Sequence, residues 1–402
     1  MKPVKLEQWM KEAERMENLN RETIRSMQLK KINRLLKREK ERGGFYKNLP
    51  ERIENLEEFR SIPFTTQEEL LEKGSSFVLV SQSQIERVRT QETSGTMGRA
   101  KRIYYSAKDN ERTVTFFQAG LSELVRPGEK TLICMPFSGG WGLGELIAEA
   151  IRRIGALPLE GGVGRTYGEL LEILRREQPE TFVGMPVPLL SLLRMEETCS
   201  IKRALISADY CPDTVCREIE KLLGTRLYPH YGSREIGLGG AVTCQAFEGM
   251  HIRENDIYPE IIDKEGKVLP DGEWGELVIT TMEAEAMPLI RYRTGDRTRI
   301  FRESCPCGSS IARIDRLTRM GKENPMEELD ELIFREKKVI DYRAALKNGG
   351  IHITGYKKGE VEAAKLPKKV QEHPLCFEWT EVKETFTPCY PAKRRLLTGE
   401  EL

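Results

Sequence analysis

Between residues 130 and 228 short apolar runs alternate with amphipathic helical patterns, and this constrains the fold more than any other feature of the chain. Residues 130–135 read as a buried strand, 144–154 as a helix and 156–159 as the next strand. The alternation continues with helices over 167–176, 188–195 and 213–223 and strands over 181–184, 203–207 and 225–228. Strands apolar on both faces need cover on both faces, and parallel neighbours need a crossover, which a helix supplies. The expected fold class is α/β with helix-covered sheets. In such sheets ligands bind beyond the carboxyl ends of the strands.

The flanking sequence extends this plan. Residues 6–42 carry Ile24, Met27, Leu29, Ile32, Leu35 and Leu36 at helical spacing, and Gly43-Gly44 ends the segment. Basic residues line it, but Glu7, Glu12, Glu14, Glu22 and Glu39 interrupt them. That favours a solvated helical segment packed on a domain over a membrane or nucleic-acid binder. From about 244 to 315 the pattern turns to strands and turns, such as Asp271-Gly272, which predicts a β-rich part. After Gly321 the sequence is more charged and reads as a small α+β domain. The expected division is a large N-terminal domain over 1–320 and a small C-terminal domain over 321–402.

The 402 residues hold 64 basic and 63 acidic side chains, a net charge of +1. This balance gives no general attraction to nucleic acid or membranes. No stretch approaches the ~20 apolar residues of a membrane span. The first residues, Met1-Lys2-Pro3-Val4-Lys5, lack the apolar core of a signal peptide, and cysteines such as Cys134 sit in apolar runs. Both point to a reduced, cytoplasmic setting.

Three motifs carry chemistry. Thr93-Ser94-Gly95-Thr96-Met97-Gly98-Arg99-Ala100-Lys101 combines glycines, hydroxyls and a terminal lysine between two strand-like runs. Such a loop can wrap N–H groups and hydroxyls around a polyphosphate, though a hairpin turn has the same composition. It is not the Gly-x-x-x-x-Gly-Lys-Ser/Thr loop that opens a helix. Tyr231-Gly232-Ser233-Arg234-Glu235 follows a strand and offers an aromatic face and a cation-binding carboxylate. Tyr292-Arg293-Thr294-Gly295-Asp296 presents a carboxylate suited to vicinal ribose hydroxyls. The last two also read as ordinary turns.

In this order the three motifs resemble those of the adenylate-forming superfamily of acyl-CoA synthetases. The run 28–36, Gly44-Phe45-Tyr46 and the run 62–70 resemble the phenylacetate–CoA ligase-like branch. The resemblance spans most of residues 20–320. It implies ATP-dependent activation of a small or aromatic carboxylic acid as acyl-AMP, then thioester formation with coenzyme A. It also implies that Thr93, Ser94, Gly95, Thr96, Gly98 and Lys101 hold phosphates and that Glu235 binds Mg²⁺. Tyr231, Gly232, Ser233, Ser207, Ala208, Asp209, Asp296 and Arg313 would bind the nucleotide. The acyl pocket is expected near Phe137, Trp141, Gly184, Met185, Pro186 and Gly237.

A lysine of the small mobile domain usually completes adenylation in this family, and Lys393 is the nearest match. Relatives hinge at Arg-x-Asp-Asp-Met, where this chain has Arg316-Leu317-Thr318-Arg319-Met320. Met97, Ala100 and Arg234 also depart from the family pattern. These departures keep two further readings open: transfer to an acyl-carrier protein or other acceptor, and a non-catalytic nucleotide-binding homologue. A monomer or homodimer is expected.

Cys244, His251, Cys305 and Cys307 form a last constellation. Three thiols and an imidazole suit a closed tetrahedral zinc site, and Pro306 and Gly308 make a tight knuckle around the Cys-x-Cys pair. The same residues also read as unrelated thiols and a surface histidine. The family resemblance extends here, to a cysteine before Gly-Met-His and to Cys-Pro-Cys-Gly, and implies structural Zn²⁺.

Overall fold

The computed structural model describes residues 5–92, 100–196, 198–321, 325–363, 366–382 and 394–398. Helices α1 (Lys5–Glu14), α2 (Arg21–Arg42), α3 (Leu56–Phe59) and α4 (Gln67–Lys73) precede strands β1 (Ile85–Glu92) and β2 (Ala100–Ser106) and helix α5 (Ala107–Leu121). Next come β3 (Lys130–Cys134), α6 (Leu143–Ile154), β4 (Leu157–Glu160), α7 (Tyr167–Glu177), β5 (Thr181–Gly184), α8 (Pro186–Met195), β6 (Arg203–Ile206), α9 (Asp213–Leu223) and β7 (Tyr228–Tyr231). Strands β8 (Ala241–Thr243), β9 (Met250–Ile252), β10 (Ile257–Ile262), β11 (Gly275–Thr281), β12 (Tyr292–Thr298), β13 (Ile300–Phe301), β14 (Arg313–Ile314) and β15 (Thr318–Arg319) follow. Helix α10 (Pro325–Ile333) and strands β16 (Val339–Lys347), β17 (Gly350–Lys357), β18 (Lys369–Val370), β19 (His373–Glu381) and β20 (Leu396–Thr398) complete the described chain.

Contacts divide the chain into two compact units. Unit 1 is Met1–Glu123 with His230–Met320, and unit 2 is Leu124–Pro229 with Gly321–Leu402. In unit 1 the helical N-terminal segment is two helices rather than one. Arg15 adopts a φ of 53° after α1, and Asn20 caps α2 by accepting from the Thr23 amide while Thr23 returns the bond. Gly43, at φ 67°, ends α2 in the left-handed conformation. The apolar stripe of α2, including Ile32, Leu35 and Leu36, joins a core with Ile103, Tyr105, Tyr231, Ile279 and Tyr292. Strands β10, β11, β12 and β15 form an antiparallel sheet, the β-rich part anticipated from the turn signals.

In unit 2 the parallel strands lie in the order β4-β3-β5-β6-β7. The chain winds one way from β3 to β4 and then back past β3 to β5. The switch point is therefore between β3 and β5, where Cys134 and Gly184 are partners. The C-terminal part of unit 2 is a five-stranded sheet in the order β18-β19-β17-β16-β20. Asn348 and Gly349, at φ 50° and 79°, make the tight turn between β16 and β17. Leu170, Leu190 and Ile219 of the helices α7, α8 and α9 share one core with Leu329, Ile333, Val339 and Ile351 of the C-terminal part. Among the described residues no helix is long and apolar enough to cross a membrane.

Candidate active site

The phosphate-loop residues Thr93, Ser94, Gly95, Thr96 and Gly98 lie outside the described residues, as does Lys393. The ends of the loop are fixed, because β1 and β2 pair antiparallel with Glu92 opposite Ala100 and Gln91 opposite Lys101. Side chains alternate along a strand, so Lys101, Ile103 and Tyr105 share the inward face. All three are buried, at 5%, 3% and 3% exposure. An inward lysine needs a partner, and the Lys101 ammonium forms an ion pair with Glu235. Burial alone would raise the Glu235 carboxyl, but the charge and hydrogen bond of Lys101 outweigh it and hold the group below the usual carboxylate value.

The segment that carries Glu235 is tied to the same hairpin. The Tyr105 hydroxyl donates to the Arg234 carbonyl at 2.5 Å, and Arg234 donates to the Thr90 carbonyl at 2.9 Å. Arg234 is thus a strap to β1. Gly232 has no room for a side chain, since a Cβ there would come within 1.9 Å of the Leu238 carbonyl oxygen. The Leu238 amide donates to the Ser233 carbonyl at 2.7 Å, and Thr113 donates to the Gly237 carbonyl at 2.7 Å. The turn is therefore held from both sides.

The third motif meets the second through Asp296. The Tyr231 hydroxyl donates to Asp296 Oδ2 at 2.9 Å, and Arg319 donates to Asp296 Oδ1 at 2.8 Å. Arg319 also donates to the Thr294 carbonyl at 2.9 Å, and its guanidinium covers Gly295. Burial and then the Asp296 charge raise the Tyr231 hydroxyl, which stays neutral as a donor. Arg319 is the residue that reading by motif missed. It lies in the hinge-like segment, and β12 pairing with β15 sets Asp296 opposite it. Arg313 is held elsewhere, by the Glu303 carboxylate at 2.8 Å and the Glu248 carbonyl at 3.0 Å.

In unit 2 the other candidates lie at the carboxyl ends of the parallel strands. Phe137 and Trp141 follow β3, Gly184 ends β5, and Met185 and Pro186 follow it, at the switch point. Glu145 of α6 accepts from the Ser138 and Gly139 amides at 2.8 and 2.7 Å, which shapes the glycine-rich loop after β3. The Phe137 ring packs on Gly144, where a Cβ would meet it at 2.5 Å. Trp141 is 39% exposed, whereas Met185 and Pro186 are buried. Ser207, Ala208 and Asp209 follow β6, and the Ser207 amide donates to the Gly184 carbonyl at 3.0 Å.

The Cys/His constellation converges in unit 1. The ligand atoms of Cys244, His251, Cys305 and Cys307 all lie within 4.8 Å of one another. Cys244 and Cys305 sulfurs are 3.8 Å apart, too far for a disulfide. A tetrahedron with Zn–S bonds of about 2.3 Å has edges of about 3.8 Å. His251 Nδ1 faces the Ile311 carbonyl at 3.1 Å, which aims Nε2 at the thiols, 3.4 Å from Cys307. The Gly308 amide donates to the Cys305 carbonyl at 2.8 Å and closes the knuckle.

Comparison with known proteins bears on the family and the fold. A family model for AMP-binding enzymes matches residues 91–283. The phenylacetate–coenzyme A ligase of Thermus thermophilus is 30% identical over 321 residues, 74% of this chain and 71% of that protein. The phenylacetate–coenzyme A ligase of Pseudomonas putida is 30% identical over 307 residues, 71% of this chain and 69% of that one. Among solved structures, a 2-hydroxyisobutyryl-CoA ligase in its postadenylation state superposes with a TM-score of 0.73 at 18% identity, covering 96% of this chain and 91% of that one.

Proposed function

The chain belongs to the phenylacetate–coenzyme A ligase family of AMP-binding enzymes, and on that premise we propose how it works. It is an ATP-dependent, AMP-forming acid–CoA ligase. A carboxylate oxygen attacks the α-phosphorus of ATP, the bond to the bridging oxygen breaks, and pyrophosphate leaves with that electron pair. The thiol of coenzyme A then attacks the acyl carbon, loses its proton, and expels AMP.

The observation that carries this reading is the meeting of the motifs in unit 1: Lys101 with Glu235, and Tyr231 and Arg319 with Asp296. Adenylation gathers negative charge at phosphorus, so fixed positive groups and in-line positioning dominate its catalysis. In our reading Lys101 leaves Glu235 for the β- and γ-phosphates, alongside Thr93, Ser94, Thr96 and the glycines of the loop. The Glu235 carboxylate, held ionised by Lys101 in the structure, is a hard oxygen donor suited to Mg²⁺, whose charge would take the place of the departing ammonium. Mg²⁺ there would neutralise phosphate charge. Asp296, oriented by two donors, retains lone pairs for ribose hydroxyls. Tyr231 and the segments 232–233 and 207–209 contact adenine.

In this scheme residues 1–320 supply the adenylation site, and 321–402, which share a core with 124–229 rather than standing apart, carry Lys393. The switch-point residues Phe137, Trp141, Gly184, Met185 and Pro186, together with Gly237, select a small or aromatic acid. Cys244, His251, Cys305 and Cys307 would hold a structural Zn²⁺, since three thiols and an oriented imidazole match its donor preference. A panel of aryl and short-chain acids in carboxylate-dependent ATP–pyrophosphate exchange tests the first step and the acid class. AMP release that requires coenzyme A assigns the acceptor, and release with a carrier protein alone would assign it otherwise.

A further inference from the structure

In unit 2, polar side chains from distant stretches of chain meet in one buried network around Arg394. Arg394, Asp330 of α10, and Asp341 and Tyr342 of β16 are all buried. Arg394 Nε donates to the two Asp330 oxygens at 3.1 and 2.8 Å, and a terminal nitrogen donates to Asp330 Oδ1 at 2.7 Å. The other terminal nitrogen donates to Asp341 Oδ1 at 2.9 Å. Tyrosine hydroxyls take up the remaining carboxylate lone pairs. Tyr342 donates to Asp330 Oδ1 at 2.5 Å, Tyr210 to Asp330 Oδ2 at 2.6 Å, and Tyr167 to Asp341 Oδ2 at 2.7 Å. Buried charges persist only when paired and hydrogen-bonded in this way. The guanidinium lies 4.5 Å from the Tyr342 ring centre, so it is also held by an aromatic face.

Two of these links end in the loop after β6. The main-chain N–H of Arg394 donates to Asp209 Oδ2 at 2.9 Å. Tyr210, the next residue, is bound through Asp330. Ala208, just before them, has a φ of 70°, a left-handed conformation that a residue with a side chain adopts only when its surroundings impose it. The residues that follow Ala208 are pinned, and the pin comes from the far end of the sequence.

We propose that Arg394 is a positioning residue for nucleotide binding, fixing the loop 207–210, with Ala208 left-handed, from the opposite end of the chain. This rests on the reading above that Ser207–Ala208–Asp209 contacts adenine. Arg394 touches no substrate and acts only through Asp209, Asp330 and Tyr210. A lysine cannot reproduce its fork, because a guanidinium reaches two carboxylates in fixed directions and an ammonium is a point charge.

Direct titration of the purified full chain with ATP by calorimetry tests the idea, using the wild type, R394K and Y210F. Y210F removes one hydroxyl bond to Asp330 without touching a charge, so it stays informative where R394K folds poorly. The expected result is an ATP Kd raised about 10-fold in R394K and about 3-fold in Y210F, with the KM of the carboxylic acid in pyrophosphate exchange within about 2-fold of wild type. A purely structural role would reduce the number of competent molecules and leave the Kd of the remainder unchanged. Unchanged Kd in both variants, or an equal shift in ATP and acid constants, overturns the inference. Wild-type ATP binding without exchange counts against the proposed reaction alone, and the variants' Kd values still decide the role of Arg394. No ATP binding by the wild type overturns both.

Discussion

Lys101 is the residue on which phosphate chemistry and folding meet. With side-chain exposures of 6% and 10%, it and Glu235 are nearly dry, so each is the other's main compensation for desolvation. K101M should cut carboxylate-dependent pyrophosphate exchange by about 100-fold or more, the usual scale for loss of one group that stabilises transition-state charge. It should also lower thermal stability, because Glu235 is left buried without its partner. The double variant K101M/E235Q separates the effects. It should regain the melting temperature and stay inactive in exchange. Recovery of activity together with stability would show that Lys101 serves only the fold.

Residue by residue, the sequence exposed what depends on local composition. Lys101, Glu235 and Asp296 stand in short motifs that single them out, and the structure pairs Lys101 with Glu235 and Tyr231 with Asp296. Cys244 and His251 stood apart from Cys305 and Cys307 in the sequence, and spacing with the Cys-Pro-Cys-Gly knuckle left the link open until the family resemblance favoured it; the structure brings the four together. Arg319 and Arg394 were not legible in this way. Each is one arginine in a basic neighbourhood, and its partner, Asp296 or Asp330, is chosen by strand pairing or helix docking that no local pattern encodes.

Among the elements, the alternation of runs between 130 and 228 foretold the parallel strands and their helices, because burial on both faces leaves a continuous apolar signature. The N-terminal helical segment was harder to divide. Its break depends on Asn20 as a cap, a polar residue that helical periodicity passes over. Helix α2 also hides a titrating group. Glu39 is 1% exposed, and neither of its carboxylate oxygens accepts a hydrogen bond from the described residues. Burial pushes its carboxyl up to about 7 from 4.5, against the opposing pull of Arg38 and Arg42. Between those values the folded chain keeps a proton that the unfolded chain has released, so this group's stabilisation is lost as pH rises toward 7. E39Q should flatten that dependence and exceed the parent's stability at pH 8 by roughly 1–3 kcal/mol. Denaturant midpoints at pH 5 and pH 8 check it, and a variant that keeps the parent's slope would place the titration on another group.

At the scale of the whole molecule, each unit carries its own stabilising device beyond its apolar core. In unit 2 it is the Arg394 network. In unit 1 we propose that it is the Cys/His cluster, which joins the turn after β8, strand β9 and the 305–308 knuckle. A structural zinc contributes folding energy directly, because its site does not exist in the unfolded chain. Wild-type protein purified without added metal should carry near-stoichiometric zinc by elemental analysis. C307S should lose most of it, with a melting temperature lower by roughly 5 °C or more. Metal-free wild type of unchanged stability would mean that the thiols are packing groups.

The central claim is that the unit 1 motifs form an adenylation site, and carboxylate-dependent exchange of labelled pyrophosphate into ATP measures it most directly. The account predicts exchange by the wild-type chain only when an acid of the right class is present, and its loss in E235Q. Exchange absent across aryl and short-chain acids, or exchange that E235Q leaves intact, would contradict it.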